Sequence, residues 1–388
     1  MKVLILGASG SIGTQTIDVL KKHPSDFELV AFSVGTRTRN ISSIIKSFPS
    51  VRYVYLIDDK KKREYQKRYP NIKFLSKEDG LESIITLSNP DLVVNALVGF
   101  VGFIPSVVTL KENRILALAN KESLVVGGEI INNLLKEGHG KLVPIDSEHV
   151  ALRKCLDVDS RNVKNLILTA SGGSFKKLSR EELKHVTVED ALKHPTWKMG
   201  NKITIDSASM MNKCFEVIEA HYLYNYPYEK IKILLHDESH IHSLVEYKNG
   251  TYRMDISKPD MRTCIEYALY LGNVSYKTYT TNSLAKLKKR NYHLHEFSYE
   301  RFPLVEHAKR VIKSKGTFGA ALNAANEKAV YAFLAKRISF LQIDEVINYI
   351  MRTHKSIKNP TVEDIVRVNS EVSLKAEKYI ESLKGENR

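Results

Sequence analysis

Short apolar runs alternate with helix-like segments throughout residues 1–145, and this alternation constrains the fold more than any other feature. Residues 2–7 form an apolar run, residues 11–22 have the pattern of an amphipathic helix, and residues 28–34 form a second run. Further runs lie at residues 54–57, 92–94, 115–118 and 142–145. Short buried strands connected by helices are typical of a parallel sheet covered on both faces. We therefore predict an α/β protein whose residues 1–145 form a doubly wound, Rossmann-like domain.

The pattern becomes irregular after Asp146, where we predict a central α+β catalytic domain over residues 146–275. Asn249-Gly250 separates two alternating apolar runs, which is a strong signal for a β-hairpin. The edge of this hairpin either pairs with a second copy of the chain, giving a homodimer, or is covered within the chain. The expected elements are strands at residues 163–169, 231–235, 240–247 and 252–256 and a helix at residues 206–222.

The last part of the chain is expected to be helical. Residues 276–302 are polar, aromatic and weakly periodic, so we expect a linker there. Beyond it the apolar spacing is helical, and we predict a C-terminal helical bundle over residues 303–388. Its four expected helices lie at residues 304–314, 318–334, 343–352 and 362–382.

Composition excludes several classes of protein. Hydrophobic residues make up 43% of the 388 residues and charged residues 27%, as in soluble globular proteins. No apolar run approaches the roughly 18 residues of a membrane helix, and Lys2 precedes a strand-like run rather than a signal peptide. The three cysteines are far apart and in no paired pattern, so we expect reduced thiols in the cytoplasm.

The net charge of +15 raises the question of a nucleic-acid partner. The densest basic cluster, residues 60–63, directly follows Asp58-Asp59 in a helix-like segment, and no nucleic-acid-binding motif surrounds it. A basic surface also attracts small phosphorylated molecules. We therefore expect a phosphorylated small-molecule substrate, with neither nucleic acid nor membrane as a partner.

A glycine-rich turn lies between the first predicted strand and the first predicted helix. Gly7, Gly10 and Gly13 have the spacing G-x-x-G-x-x-G, with Ser9, Ser11 and Ile12 between them. Glycines at such a turn let the backbone approach a pyrophosphate, which the amide groups at the helix start stabilise. A purely structural turn is the alternative, but the strand–glycine–helix context favours a dinucleotide site.

The end of the second predicted strand favours NADP(H) over NAD(H). An NAD site usually has an acidic residue there for the ribose hydroxyls, whereas this chain continues as Gly35-Thr36-Arg37-Thr38-Arg39-Asn40. Arginine beside hydroxyl side chains suits a 2′-phosphate. Either arginine could instead be surface charge, so the residue that contacts the phosphate stays open among Thr36, Arg37, Arg39 and Asn40.

Three carboxylates suggest a metal site. Asp146 and Glu148 follow the apolar run at residues 142–145, and Glu216 lies on the helix predicted at residues 206–222. Carboxylate oxygens suit a hard cation such as Mg²⁺ or Mn²⁺, and three ligands leave positions open for substrate oxygens. Asp146 could instead only cap a helix.

Polar residues near these carboxylates suit an anionic substrate. Asn212 and Lys213 share one helix face with Glu216, although a surface ion pair would explain Lys213 and Glu216 equally well. Ser171, followed by two glycines, and Ser207 can donate hydrogen bonds to a phosphate. Trp197 is the single tryptophan and lies in a predicted loop, where it is either part of a lid or ordinary packing.

Two other groups of residues are weaker candidates. His236, His240 and His242 could be mistaken for a zinc site, but no cysteine accompanies them. Cys214 lies within the predicted site helix, but neither a base nor an oxyanion hole is evident beside it, so packing is the preferred interpretation.

Read together, these motifs resemble the 1-deoxy-D-xylulose 5-phosphate reductoisomerase family, and the resemblance covers nearly the whole chain. The motifs that carry it are the glycine-rich turn, Ala119-Asn120-Lys121-Glu122-Ser123-Leu124, Asp146-Ser147-Glu148-His149, Ser171-Gly172-Gly173, residues 194–200, residues 206–216, Pro259-Asp260-Met261-Arg262-Thr263 and residues 321–327. The resemblance implies rearrangement of 1-deoxy-D-xylulose 5-phosphate and its reduction by NADPH to 2-C-methyl-D-erythritol 4-phosphate, an isoprenoid precursor. It also implies Mg²⁺ or Mn²⁺, with Co²⁺ as an alternative, and a homodimer.

The resemblance further implies a role for individual residues. The implied cofactor contacts are Gly7, Ser9, Gly10, Ser11, Ile12, Gly35, Thr36, Arg37, Asn120, Glu122 and Gly200. The implied metal ligands are Asp146, Glu148 and Glu216, with Lys121, Ser147 and Glu148 around the substrate carbonyl and hydroxyls. The implied phosphate contacts are Ser171, His194, Ser207, Asn212 and Lys213, and Trp197 and Met199 match a mobile lid. The chain departs from the family after Gly35, where a basic residue followed by Asn is usual, and at Cys214-Phe215, where Gly-Leu is usual.

Two rival functions use parts of the same pattern. An NADP-dependent semialdehyde dehydrogenase shares the glycine spacing but needs a cysteine nucleophile beside a histidine. A redox-sensing regulator would bind NADP(H) and use the basic surface for a partner or nucleic acid. Such a regulator has no use for three oriented carboxylates.

Overall fold

The computed structural model of the protein describes residues 1–156, 162–194, 197, 199–273 and 291–383. The chain divides into two compact units. Among the described residues, the first unit comprises Met1–Asn120, Ile131–Asp146 and residues 260–273, and the second comprises Lys121–Ile130, residues 147–259 and residues 291–383. The domain limits expected from the sequence stay a prediction, and residues 276–290 of the expected linker lie outside the described residues.

The first unit is built on a seven-stranded sheet in which every neighbouring pair is parallel. Its strand order is β4-β3-β2-β1-β5-β6-β7, so the chain reverses direction across the sheet next to β1. The strands are β1 (Lys2–Leu6), β2 (Glu28–Val34), β3 (Tyr53–Leu56), β4 (Lys73–Leu75), β5 (Leu92–Asn95), β6 (Ile115–Leu118) and β7 (Lys141–Pro144). The predicted doubly wound sheet is confirmed.

Helices cover both faces of this sheet. Val3 and Ile5 of β1 belong to one buried apolar cluster and Leu4 and Leu6 to another, because successive side chains of a strand point to opposite faces. The helices are α1 (Ser11–Lys22), α2 (Ile41–Ser47), α3 (Asp59–Arg68), α4 (Ser83–Ser88), α5 (Phe103–Lys111) and α6 (Glu122–Lys136), the last of which is kinked at Gly127 and divided between the two units.

Helix α11 (Met261–Leu269) returns to the first unit and packs against α1. Its apolar face joins the core cluster that contains Val3 and Ile5. The Arg262 guanidinium also donates a 2.8 Å hydrogen bond to Asp18 on α1. Sequence analysis groups residues 260–275 with the central domain, whereas the buried apolar face of α11 completes the first unit.

The second unit contains a five-stranded mixed sheet of order β11-β10-β8-β9-β12. Its strands are β8 (Val163–Ala170), β9 (Ile231–His236), β10 (Ile241–Tyr247), β11 (Tyr252–Ile256) and β12 (Leu294–Glu296). The predicted hairpin is confirmed: β10 and β11 are antiparallel, and Gly250 N donates to Tyr247 O at 3.0 Å across the turn. Part of the expected linker is a strand instead, because β12 pairs with the edge of β9.

The remaining helices belong to the second unit. They are α7 (Ser147–Leu156), α8 (Val188–Ala191), α9 (Asn201–Ala208), α10 (Met211–Tyr224), α12 (His307–Ser314), α13 (Phe318–Leu334), α14 (Phe340–Thr353) and α15 (Val362–Leu383). Single turns of 3-10 helix lie at Lys77–Asp79, Phe100–Gly102, Glu182–His185, Tyr228–Lys230 and Pro303–Glu306. The C-terminal helices pack together as predicted, with α13 against both α14 and α15. Among the described residues, no helix has the length and apolar character that crossing a bilayer requires.

The prediction of a single helix at residues 206–222 is wrong. The structure has two helices, α9 and α10, separated at Ser209-Met210. Met210 has φ 61°, a left-handed conformation that is costly for a residue with a side chain. Its side chain is 2% exposed, so burial offsets that cost. As a result, Ser207 lies near the end of α9 rather than near the start of a helix.

Helix α13 packs closely against the start of α6. At Gly319 an added Cβ would lie 1.8 Å from Val125 O, so the two backbones meet where only glycine fits. This contact places the segment that begins with Lys121.

We predict that Gly319→Ala lowers the stability of the protein by at least about 2 kcal/mol, because the backbone must shift to admit the methyl group. The measurement is the midpoint of chemical unfolding. Gly200→Ala is the matched control, since an added Cβ there meets nothing within 4 Å. Equal midpoints for the two variants would show that α13 and α6 are not in close contact.

Candidate active site

Helix α10 presents three polar side chains on one face. Asn212 and Glu216 are one helical turn apart, and Lys213 lies beside them. Lys213 and Glu216 are 3% and 1% exposed, so this face is buried rather than a solvated surface. The alternative of a surface ion pair is therefore wrong.

Two lysines hold the Glu216 carboxylate. Lys121 Nζ lies 3.0 Å from Glu216 Oε1 and donates to Asn212 Oδ1 at 2.9 Å. Lys213 Nζ contacts Glu216 Oε2 and lies 2.9 Å from Glu148 Oε1. A buried carboxylate is stable only when it is paired in this way. The contacts bring the starts of α6, α7 and α10 to one place.

Three carboxylates converge as the sequence predicts. Asp146, Glu148 and Glu216 each offer an oxygen within 4.8 Å of the others. Asp146 directly precedes α7, and Glu148 lies in its first turn. Three hard oxygen ligands from carboxylates at this spacing fit a divalent cation such as Mg²⁺ or Mn²⁺.

Both lysines add positive charge beside these carboxylates. Burial alone would lower the pKa of Lys213, but the Glu148 and Glu216 carboxylates outweigh burial and raise it. Lys213 is therefore cationic at neutral pH. Because Ser147 Oγ donates to Glu148 Oε2 at 2.6 Å, Glu148 is oriented by both a serine and a lysine.

A second polar cluster contains Ser171, His194 and Ser207. His194 Nε2 lies 3.2 Å from both hydroxyl oxygens, and His194 Nδ1 accepts a 3.0 Å hydrogen bond from Trp197 N. Because Nδ1 accepts, a neutral His194 carries its proton on Nε2. Burial, helped by the charge of Lys176, lowers the pKa of His194 and favours that neutral form. The cluster offers hydroxyl and imidazole donors to one anion.

The predicted lid is described only in part. Pro195, Thr196 and Lys198 lie outside the described residues. The Trp197 ring lies 6.4 Å from the His242 ring between centroids, and Met199 is partly buried. Gly200 precedes α9, so the expected loop ends at the start of that helix.

A buried ionic network that sequence analysis missed lies beside the site. Lys202 Nζ contacts Glu122 Oε1 and Asp206 Oδ2, both at 2.8 Å, and Asn326 donates to Asp206 Oδ1 at 2.8 Å. For Lys202 and Glu122 burial opposes the charged form, but the ionic contacts outweigh burial, so the pKa of Lys202 is raised and that of Glu122 is lowered. For Asp206 burial outweighs the contact with Lys202 and raises the pKa. The four-residue spacing of Lys202 and Asp206 in the sequence could have predicted their ion pair on one helix face. No sequence pattern indicates the contact of Lys202 with Glu122.

The residues of this ionic network are close in sequence to three predicted site residues, and the network therefore holds the backbone of those site residues in position. Glu122 follows Lys121, Lys202 follows Gly200 by two residues, and Asp206 precedes Ser207. Glu122 itself was expected to contact the cofactor, and the structure places its carboxylate against Lys202.

The glycine-rich turn of the first unit joins β1 to α1. Gly7 N donates to Ser33 Oγ at 2.9 Å, and Ala8 N donates to Ser33 O at 2.8 Å, so the turn lies against the end of β2. At Gly13 an added Cβ would lie 2.2 Å from Gly7 O. The turn is thus tightly wound, and Ser9, Gly10, Ser11 and Ile12 lie at the amino end of α1, where backbone amides favour an anion.

The other predicted cofactor residues differ in exposure. The side chain of Asn120 is buried and donates to Leu97 O and Gly99 O, at 3.0 and 2.9 Å, so the amide supports a loop of the first unit. Thr36, Arg37, Arg39 and Asn40 are exposed, and Gly35 is partly exposed.

The cysteines do not support a cysteine nucleophile. Cys155, Cys214 and Cys264 are buried, and none of them forms a disulfide. Burial raises the pKa of Cys155 to about 11 and raises that of Cys214 further, so neither forms a thiolate at neutral pH. The dehydrogenase alternative therefore lacks its reactive group at these two positions.

Comparison with known proteins identifies the family. A family model described as 1-deoxy-D-xylulose 5-phosphate reductoisomerase matches residues 3–128, and two models of its C-terminal domains match residues 142–224 and 256–374. A 1-deoxy-D-xylulose 5-phosphate reductoisomerase of Geobacillus sp. (strain WCH70) is 43% identical over 386 residues, covering 98% of this chain and 99% of that protein. The chain belongs to the 1-deoxy-D-xylulose 5-phosphate reductoisomerase family.

Solved reductoisomerase structures share the fold along the whole chain. The enzyme from Zymomonas mobilis in complex with NADPH has a TM-score of 0.89 and 33% identity, covering 98% of this chain and 99% of that one. A reductoisomerase in complex with NADPH, fosmidomycin and magnesium has a TM-score of 0.90 and 30% identity, covering 99% of both chains. The family predicted from sequence motifs is confirmed.

We predict that Lys202→Met destabilises the protein by about 3 kcal/mol, because it leaves two buried carboxylates without their shared cation. The measurement is the midpoint of chemical unfolding. Lys193→Met is the matched control: Lys193 forms an ion pair with Asp190, but its side chain is 74% exposed, so the midpoint should hardly move. A Lys202→Met midpoint equal to that of the control would contradict the network.

Proposed function

We propose that this protein is an NADPH- and divalent-metal-dependent reductoisomerase that converts 1-deoxy-D-xylulose 5-phosphate to 2-C-methyl-D-erythritol 4-phosphate, a step of isoprenoid precursor biosynthesis. The observation that carries the proposal is the convergence of Asp146, Glu148 and Glu216 in a chain of this family. The related enzymes with solved structures bind NADPH and magnesium. The reaction rearranges the carbon skeleton of the ketose to an aldehyde and then reduces it.

The carboxylate cluster is proposed to hold Mg²⁺ or Mn²⁺ through Asp146, Glu148 and Glu216. When bound, the cation supplies Lewis-acid stabilisation of the negative charge that develops on the substrate oxygens. Lys121 and Ser147 are proposed to orient the substrate carbonyl and hydroxyls. Glu148 accepts hydrogen bonds from Ser147 and Lys213, and it is proposed to relay protons between the substrate hydroxyls.

The phosphate of the substrate is proposed to bind Ser171, His194, Ser207, Asn212 and Lys213. Lys213 would contribute its positive charge, since its three N–H groups already contact Glu148 Oε1, Thr169 O and Glu216 Oε2. The hydroxyls of Ser171 and Ser207 converge on His194 Nε2, which favours a tetrahedral anion with several acceptors. Trp197 and Met199 are proposed to exclude water as part of a lid.

The first unit is proposed to bind NADPH. Ser9, Gly10, Ser11 and Ile12 would hold the pyrophosphate at the start of α1, and Gly7 and Gly35 would allow close backbone approach. Thr36 and Arg37 would lie near the adenosine ribose, and Asn120, Glu122 and Gly200 would be further contacts. When bound, NADPH supplies the hydride for the reduction.

A homodimer and a cytoplasmic location are also part of the proposal. Edge strand β11 exposes Tyr252 and Met254, which are 53% and 42% exposed, and apolar side chains on an open sheet edge suit pairing with a second copy. Three cysteines that form no disulfide suit a reducing compartment.

We predict that Glu216→Gln lowers turnover by about 100-fold or more while NADPH binding persists, because the amide removes the charge that the cation requires but keeps the shape. The measurement is NADPH oxidation with 1-deoxy-D-xylulose 5-phosphate, with and without Mg²⁺ or Mn²⁺. NADPH binding is followed separately by cofactor fluorescence.

Glu229→Gln is the matched control, since Glu229 is 56% exposed and pairs with Lys313 on the surface. It should keep wild-type turnover. Wild-type turnover in Glu216→Gln, with the metal requirement unchanged, would remove Glu216 from the ligand set. Absence of any metal-dependent NADPH oxidation in the wild-type protein would contradict the proposed function itself.

A further inference from the structure

A lysine from helix α3 reaches the loop that follows β2. Lys61 Nζ donates a 3.0 Å hydrogen bond to Thr38 Oγ1. Thr38 lies four residues beyond Val34, the last residue of β2, and is 8% exposed. In dinucleotide-binding folds the end of the second strand meets the adenosine ribose, where a 2′-phosphate distinguishes NADP(H) from NAD(H). Lys61 therefore brings a cation to the position at which the two cofactors differ.

The loop is attached to α3 by a second bond that carries no charge. Tyr65 lies one helical turn after Lys61, and its hydroxyl donates to Thr38 O at 3.2 Å. Thr38 is thus held at both its side chain and its carbonyl oxygen. Because Lys61 is partly buried and already hydrogen-bonded, it loses less freedom on binding a ligand than an exposed side chain does.

The other cations near the loop are less well placed. Arg37 and Arg39 are exposed, and neither forms a hydrogen bond or an ion pair with another residue in the described part of the chain. Lys60 is exposed, and Lys62 is paired with Asp79 at 2.7 Å. Lys61 is therefore the lysine of this helix turn that is directed at the loop.

Two acidic residues lie close in the chain and weaken the positive charge. Asp58 accepts hydrogen bonds from the backbone N of Lys60 and Lys61, at 2.9 and 3.2 Å, and so caps α3. Asp59 is the first residue of the helix. Since the Asp58 carboxylate is bound to backbone amides, the Lys61 ammonium group remains directed at Thr38, with further N–H donors for an anion.

We propose that Lys61, together with the hydroxyl of Thr38, recognises the 2′-phosphate of NADPH and makes the site selective for NADPH over NADH. The inference rests on the proposed function, in which the first unit binds this cofactor. It assigns the role to a residue on α3 rather than to Thr36, Arg37, Arg39 or Asn40. Lys61 is a specificity-determining residue, and the reduction itself does not require it.

The test compares the dissociation constants of NADPH and NADH, measured by cofactor fluorescence on the full-length protein without ketose substrate. Lys61→Gln should weaken NADPH binding about tenfold or more and leave NADH binding unchanged, because it removes one charge-assisted hydrogen bond. Lys61→Arg should retain most of the preference. Lys60→Gln, which removes the same charge one position away, should change neither constant.

Tyr65→Phe separates selectivity from a structural effect. It removes the uncharged bond to Thr38, so any loosening of the loop should weaken NADPH and NADH binding by the same factor. Unchanged NADPH binding in Lys61→Gln, or equal weakening of both cofactors, would overturn the inference and leave the proposed function intact. A wild-type protein that binds neither cofactor would overturn both.

Discussion

The burial of the Glu216 carboxylate governs the arrangement of the second unit. A carboxylate with 1% exposure loses nearly all of its hydration, which costs several kcal/mol unless cations replace the water. Lys121, immediately before α6, and Lys213, on the same helix α10 as Glu216, provide that replacement. The starts of α6 and α10 must therefore come together for this residue to be stable in its charged form.

The same pairing gives the site its electrostatic character. Asp146, Glu148 and Glu216 carry three negative charges, and Lys121 and Lys213 carry two positive charges. A divalent cation would reverse the sign of this balance and attract an anionic sugar phosphate. Contacts outside the carboxylate cluster stabilise its position. Helix α13 packs against α6 at Gly319, and Lys202 forms ion pairs with both Glu122 and Asp206.

Much of the fold and of the candidate site can be predicted from the sequence, because short-range sequence patterns determine these features. The parallel sheet follows from the alternation of apolar runs and helices, and the shared face of Asn212, Lys213 and Glu216 follows from helix geometry. The motifs that resemble the reductoisomerase family, such as Asp146-Ser147-Glu148-His149, are sufficient to indicate the family. Sequence patterns are sufficient to predict a structural feature when the residues that form it are close together in the sequence.

The remaining features depend on contacts between distant segments. The break at Met210 has no glycine or proline to mark it, and it persists because the side chain is buried. Strand β12 is too short and polar to be recognised, and it forms because β9 offers an open edge. The contacts of Lys202 with Glu122 and of Lys61 with Thr38 join residues far apart in the chain, so spacing could not reveal them.

The most direct test of the central claim is a crystal structure of the protein with Mn²⁺, in which anomalous scattering locates the metal. The account predicts one strong peak within about 2.0–2.4 Å of an oxygen from each of Asp146, Glu148 and Glu216. A Mn²⁺ ion bound elsewhere, or one bound by Asp146 and Glu148 with Glu216 still held by its two lysines, would contradict it.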